Sequence, residues 1–229
     1  MGRPRSADYT PANEFYFKTI DTPVKAYLFG LLWADGCTSQ NRISMGLKSE
    51  DAEALIIAHQ ELGGRLKHRK RYDKRTKKTY EISDWYVNSK ELVVQLSRRG
   101  FRTSPKFDKK WFPWFLLGFF DGDGNIHLTK TKQVQVTFAA PKNHNWTWFY
   151  KTVKTFGKFV FTEVHRTGKD GYSGSDLRIY GREALRLLDF IQQGSLGFNR
   201  KRRLYLDAKT HYAQIRNSSI RRKVNRVVS

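Results

Sequence analysis

The chain has 229 residues and a formal net charge of +22, from 43 Lys and Arg against 21 Asp and Glu. With a pI near 10.2, the expected partner is a polyanion, and the lack of a cationic amphipathic helix or long apolar run puts nucleic acid ahead of a membrane surface. Six Trp, eleven Tyr and sixteen Phe exclude a disordered basic tail, while the lone Cys37 excludes an internal disulfide or cysteine-built zinc cluster and suits a reducing, intracellular location.

Residues 1–22 form a basic arm. Its Gly2-Arg3-Pro4-Arg5 suits either an arginine arm in an A·T-rich minor groove or a solubilising end, and it lacks the apolar stretch of a secretory leader. A first unit spans residues 23–96 and opens with Leu28-Phe29-Gly30-Leu31-Leu32-Trp33-Ala34-Asp35-Gly36, an apolar helix stopped by glycine with Asp35 at its C-terminus. Ile43, Met45 and Leu47 then alternate with Arg42, Ser44 and Gly46, the period of a half-buried strand with its polar side outward. A helix is predicted over residues 49–62, where Glu50, Asp51 and Glu53 suit its start and Gly63-Gly64 its stop. A hairpin over residues 65–87 carries Arg65, Lys67, Arg69 and Arg71. Its tip, Asp73-Lys74-Arg75-Thr76-Lys77-Lys78, suits phosphates rather than bases. A short helix capped near Ser89 closes the unit, and residues 97–111, basic with Gly and Pro, read as a linker.

A second unit spans residues 112–195. Leu116-Leu117-Gly118-Phe119-Phe120-Asp121-Gly122-Asp123-Gly124 repeats the first signature, with one structural unit's worth of chain between Asp35 and Asp123, so the chain reads as a tandem duplication. Ile126, Leu128, Val134, Val136 and Phe138 are expected to face inward. His127, Thr129, Gln133, Gln135 and Thr137 are expected on the other face of a hairpin turning at Thr131-Lys132. Such a face suits major-groove reading by strands, since Gln pairs bidentately with adenine and Arg with guanine. A helix over residues 145–156, a hairpin over residues 158–180 and a helix starting near Gly181 complete the unit. Residues 196–229, with Arg200-Lys201-Arg202-Arg203 and Arg221-Arg222-Lys223, form a basic end that is either a helix along the DNA backbone or a tail.

The paired acids are the chemical signal. A helix C-terminus carries partial negative charge, so an aspartate there is unfavourable by about 0.3–1 kcal/mol, and the choice is made twice. If the two helices pack about a pseudo-twofold axis, both carboxylates converge on one volume of negative potential that invites a divalent cation with oxygen ligands. Gly30 with Ala34, and Gly118 with Gly122, are small residues four apart that permit such close packing. The apolar run from Trp111 to Phe120, interrupted by Pro113, is well short of the about 20 residues of a membrane span. His127, His144 and His165, with Asn143-His144-Asn145, offer the residue types of a one-histidine nuclease. No cysteine pairs staple such a site, however, and Asn143 or Asn145 is expected to cap a helix there.

The two signatures resemble the paired helices of the LAGLIDADG homing endonucleases in their single-chain form. The motif's essential acid falls at Asp35 and Asp123 and its third-position glycine at Gly30 and Gly118. The lead-in Asn13-Glu14, Ile20-Asp21-Thr22 and Lys25-Ala26-Tyr27 also resembles the stretch before the first motif in bacterial and phage members, and the likeness covers residues 15–203. It implies an α+β fold of two pseudo-symmetric αββαββα units, each with a four-stranded antiparallel sheet, forming a DNA-binding saddle around a two-helix interface. Trp33 departs from the pattern where an acid is frequent.

The resemblance further implies metal-dependent double-strand cleavage across the minor groove by a monomer, on double-stranded DNA with a long, largely asymmetric target. Asp35 and Asp123 would hold Mg2+, with Ca2+ or Mn2+ as substitutes. The family places Gln or Lys at the end of the second strand of each half. Aligning Gly63 with Gly157 puts Lys48 on Lys142, although Leu47 and Pro141 are apolar where many members are polar. For the fourth strands the candidates are Asn88 and Arg178. The DNA-contact candidates are Arg42, Ser44, Arg65, Lys67, Arg69, Arg71, Arg75, Lys77, His127, Thr129, Gln133, Gln135, Thr137 and Arg178. An intron maturase, or a non-cleaving nucleic-acid-binding protein on the same scaffold, remains the alternative.

Overall fold

The computed structural model describes residues 9–74, 76–167 and 173–228, with side chains through residue 214. The expectations for Gly2-Arg3-Pro4-Arg5, for Arg75 and for the side chains of Arg221, Arg222 and Lys223 lie outside these residues. The first half runs α1 (Pro23–Asp35), β1 (Cys37–Ser39), β2 (Arg42–Lys48), α2 (Glu53–Leu62), β3 (Arg65–Asp73), β4 (Lys78–Asn88) and α3 (Lys90–Arg98). The second repeats it as α4 (Phe112–Asp123), β5 (Gly124–Leu128), β6 (Val134–Pro141), α5 (Thr147–Val153), β7 (Thr162–Thr167), β8 (Ser173–Tyr180) and α6 (Gly181–Ile191), and a long α7 (Asn199–Val228) follows. The fold is α+β, as the duplicated pattern implies.

Local chemistry sets the element ends. Thr22 caps α1, its hydroxyl accepting from Lys25 N at 3.2 Å, with Pro23 in the first turn, where a missing N–H does no harm. Ser89 caps α3 in the same way through Leu92 N. Asn145, expected as a cap, lies one residue ahead of the actual N-cap Trp146 and accepts from Thr147 N at 2.9 Å. The helix expected over residues 49–62 is split into a 3-10 turn, Ser49–Asp51, and α2, and α5 is shorter than expected.

The strands form two antiparallel sheets of equal topology, β1-β2-β4-β3 and β5-β6-β8-β7. One face of each packs on helices. Ile43, Met45, Leu47, Trp85 and Val87 join the core from the first sheet, and Val134, Val136, Phe138, Leu177 and Ile179 from the second. Leu128, expected inward, is 49% exposed, because it ends β5 beyond the reach of the covering helices. Gln135 and Thr137 do lie on the outward face by register, opposite His127 and Asn125, yet both are buried. Strands flank β6 on both sides, and the Gln135 amide folds along the strand to donate to the Thr137 hydroxyl at 2.9 Å.

At the centre α1 and α4 pack with their backbones in contact. A Cβ on Gly30 would lie 1.9 Å from Phe115 O, and one on Gly118 would lie 2.0 Å from Tyr27 O, so no other residue fits at either place. The reciprocity of these contacts expresses the pseudo-twofold relation. It is broken at the next layer, where Trp33 stacks edge-on against Phe115 at 5.6 Å between centroids while its counterpart Asp121 accepts from the Tyr27 hydroxyl at 3.0 Å. No described helix is long and apolar enough to cross a membrane.

Candidate active site

Asp35 and Asp123 are the last residues of α1 and α4. The glycines after them do not adopt the left-handed conformation expected of a helix stop, since Gly36 has φ −71° and Gly124 φ −90°. They are needed for space. A Cβ at Gly36 would sit 2.4 Å from Leu32 O, and one at Gly124 2.2 Å from the Phe120 ring.

The close packing of α1 on α4 delivers both carboxylates to one place. A Cβ added to Gly122 would already lie 3.0 Å from the Asp35 carboxylate. Burial pushes the Asp123 carboxyl up to about 6, the charge of Asp35 pushes the same way, and Lys201 and Arg102 pull against both. Asp35 is likewise raised by burial and opposed by Lys201. Two carboxylates that disfavour each other's ionisation form a site of excess negative charge.

Each helix end also carries a cation. Arg102 donates from its guanidinium to Gly36 O. Lys201, buried, donates to Phe120 O, to Asp121 O at 2.5 Å and to Gly124 O at 2.7 Å. In both halves the carbonyl of the glycine after the aspartate is therefore bound by a positive group, the favourable sign for a helix C-terminus. Burial lowers the Lys201 ammonium to about 8.

Three consecutive residues before Lys201 hold it there and bridge the halves. Phe198 N donates to the Asp121 carboxylate at 2.8 Å, Asn199 donates to Glu53 at 2.6 Å and Arg200 pairs with Asp51 at 2.8 Å. Asp121, extra to the first copy, is fully buried and raised to about 6 by that burial. Its charge thus serves the start of α7 and is not open to a ligand. The end of the chain is helix rather than tail, and its Arg200-Lys201 segment belongs to the site.

A cavity of about 490 Å³ opens beside Asp123, lined also by Ala34, Arg102, Pro141, Asn143 and His144. The His144 ring packs on Trp146 at 4.4 Å, and burial lowers its pKa. Among the described residues no group of three or more His, Cys, Asp or Glu is placed to hold a metal by itself. The two carboxylates fit an oxygen-ligated divalent cation that completes its shell with water and phosphate, the glycine carbonyls beside them being taken by Arg102 and Lys201.

The other expected site residues are placed differently. Strand register sets Lys48 opposite Ile82 and Pro141 opposite Gly174, so Pro141, not Lys142, is the counterpart of Lys48. The alignment through glycines slipped because the bend after β6 differs from that after β2. Lys142 lies exposed in the following turn, and Lys48 on the outward sheet face, 3.7 Å from Glu50. Neither lines the cavity beside Asp123. Asn88 accepts from Arg42 at 2.8 Å and Arg178 pairs with Asp176 at 3.0 Å, and the two are not counterparts, since Arg178 matches Tyr86.

Arg102 and Lys201 were hidden among many cations, but a signal existed. Gly100-Phe101 and Gly197-Phe198 repeat one dipeptide just before them, after the closing helix of each unit, with both glycines at positive φ (77° and 108°).

Arg42, Ser44, Arg65, Lys67, Arg69 and Arg71 share one sheet face by register, directed away from the helices. His127, Gln135, Thr137 and Arg178 share the corresponding face of the second sheet. Thr129 and Gln133 close the β5–β6 turn through a backbone hydrogen bond of 2.8 Å, and Lys77 sits at φ 53° in the β3–β4 turn.

No protein-family model matches the sequence, and no curated protein does either. Solved structures do. The N-terminal LAGLIDADG domain of DUF199/WhiA aligns with TM-score 0.53 at 15% identity, covering 83% of this chain and 92% of that one. The homing endonuclease I-WcaI bound to its DNA recognition sequence aligns with TM-score 0.54 at 11% identity, covering 83% and 89%. I-DmoI in complex with DNA and Ca aligns with TM-score 0.50 at 17% identity, covering 76% and 92%. The chain has the LAGLIDADG fold. Identities this low carry the architecture and leave activity to the site itself.

Proposed function

We propose that the protein is a monomeric, site-specific endonuclease that hydrolyses both strands of a DNA duplex across the minor groove, using Asp35 and Asp123 with a divalent metal, Mg2+ by preference. One observation carries the reading. Two aspartates are brought together at paired helix ends, where they oppose the helix dipoles, and burial, joined by the charge of Asp35, pushes Asp123 up to about 6. Fold stability alone gives no reason to place acids there, and a protein that only bound DNA would gain nothing from carboxylates facing phosphate.

In this reading Asp35 and Asp123 would hold the cation, one carboxylate from each half. A bound divalent ion supplies charge neutralisation at phosphate and acidifies water. Lys201 fixes the α4 terminus by binding its last carbonyls, and Arg102 does the same at α1. Both keep positive charge beside the phosphate as negative charge grows on it. The outward sheet faces lie along the flanking duplex, and the unlike halves suit a long, asymmetric target. An intracellular location, where duplex DNA is available, would suit this reading.

The test pairs cleavage with binding. Wild type, Asp35→Asn and Asp123→Asn are incubated with a plasmid library of random target inserts, in Mg2+ or EDTA, and linearised products are recovered. Wild type should cut a subset of inserts in Mg2+ alone, and either substitution should abolish double-strand cutting while DNA binding persists. Cutting by both variants refutes the assignment of the aspartates. Binding without cutting by wild type assigns the chain to a non-cleaving role.

A further inference from the structure

The two outward sheet faces can be compared position by position, because both sheets share one register about an aspartate. Asp84 lies opposite Gly46 and Lys67, and Asp176 lies opposite Ala139 and Val164. On the outermost strands Arg65, Lys67 and Arg69 therefore correspond to Thr162, Val164 and Arg166. Nearer the centre Arg42 and Lys48 correspond to Gln135 and Pro141. Duplication thus left one face rich in cations and the other nearly neutral.

The cations on the second face are also neutralised in place. Arg166 and Arg178 both pair with Asp176, at 2.7 and 3.0 Å, and the Asp176 side chain is only 4% exposed. A carboxylate shared by two guanidiniums cancels much of the field that either would offer a phosphate. On the first face Arg69 is paired with Asp84, but Arg42 leans on uncharged partners: Asn88, and the Tyr86 ring at 4.7 Å. Lys67 and Arg71 stand exposed.

We propose that the first sheet supplies the salt-dependent, sequence-tolerant grip on the phosphates of duplex DNA. The second sheet adds little to that grip and instead presents the exposed side chains of Asn125 and His127, opposite the buried Thr137 and Gln135, to base edges. DNA engages the first sheet first, and the half-site beneath the second decides whether the complex persists. The proposal rests on the DNA-binding reading above and divides its energetics between the halves. Phosphate contacts carry no sequence information and are registered as released counterions, each contributing roughly 0.9 to the slope of log affinity against log salt.

The test is the salt dependence of binding to a fluorescent, random-sequence duplex in EDTA, where no cutting interferes, with thermal melts confirming that each variant is folded. Lys67→Gln with Arg71→Gln should lower the slope by roughly 1 to 2, and Arg166→Gln with Arg178→Gln should change it by less than roughly 0.5. Asp176→Asn should raise the slope, because it frees two arginines for phosphate, an outcome that a merely structural role for Asp176 does not produce. Should the double arginine variant not fold, Asp176→Asn decides alone. Equal losses from the two sheets, or an unchanged slope for Asp176→Asn, overturn the division of labour while leaving DNA binding intact. A wild type that does not bind the duplex overturns both readings.

Discussion

Replacing Asp123 by Asn should stabilise the protein while removing its proposed activity. In the unfolded chain this carboxyl ionises near 3.8, and in the folded site only near 6, because burial and the charge of Asp35 oppose ionisation. Between those values the native state binds more protons than the unfolded state, so stability falls as pH rises through the window and the full penalty is present above it. The shift corresponds to at most about 3 kcal/mol at pH 8 and under about 1 kcal/mol near pH 4. Asparagine keeps the shape and lacks the charge. For a chain of this size the difference amounts to a rise of roughly 6 to 12 °C in Tm at pH 8, shrinking toward zero near pH 4. Melting curves at both pH values, followed by circular dichroism, measure it. A variant that melts lower than wild type at pH 8, or is raised equally at both pH values, refutes the electrostatic account of the site.

Gly118→Ala should unfold or severely destabilise the chain, because its Cβ would lie 2.0 Å from Tyr27 O and only backbone movement of α1 relieves the clash. A loss of about 3 kcal/mol or more is expected from urea unfolding, and a loss below about 1 kcal/mol would contradict the helix contact. Lys201→Met should shift the pH window over which stability falls to higher values, since Lys201 draws Asp35, Asp121 and Asp123 down, more strongly than Arg102 does at Asp35 and Asp123. Melts across the pH range report that shift, and an unmoved window would show that Lys201 does not act on the carboxylates.

The primary sequence by itself determined the duplication, the C-terminal ends of the two central helices, the facing of most strand residues and the two aspartates. Those features are local: a glycine-punctuated apolar run, a period of two, a hydroxyl or amide placed to cap. The repeat of Asp35 as Asp123 in matched context was enough to mark the acids, because chemistry that opposes a helix dipole twice is improbable by chance. Tertiary structure decided what depends on residues distant in the chain. Arg102 and Lys201 reach the helix ends only because the closing segment of each unit returns to the centre, and locally they are marked only by the Gly-Phe dipeptide that precedes each. Register, fixed by hydrogen bonding between strands, made Pro141 rather than Lys142 the partner of Lys48. Packing made Asp121 a buried anchor for α7, since its surroundings come from Tyr27 and Phe198 on separate elements.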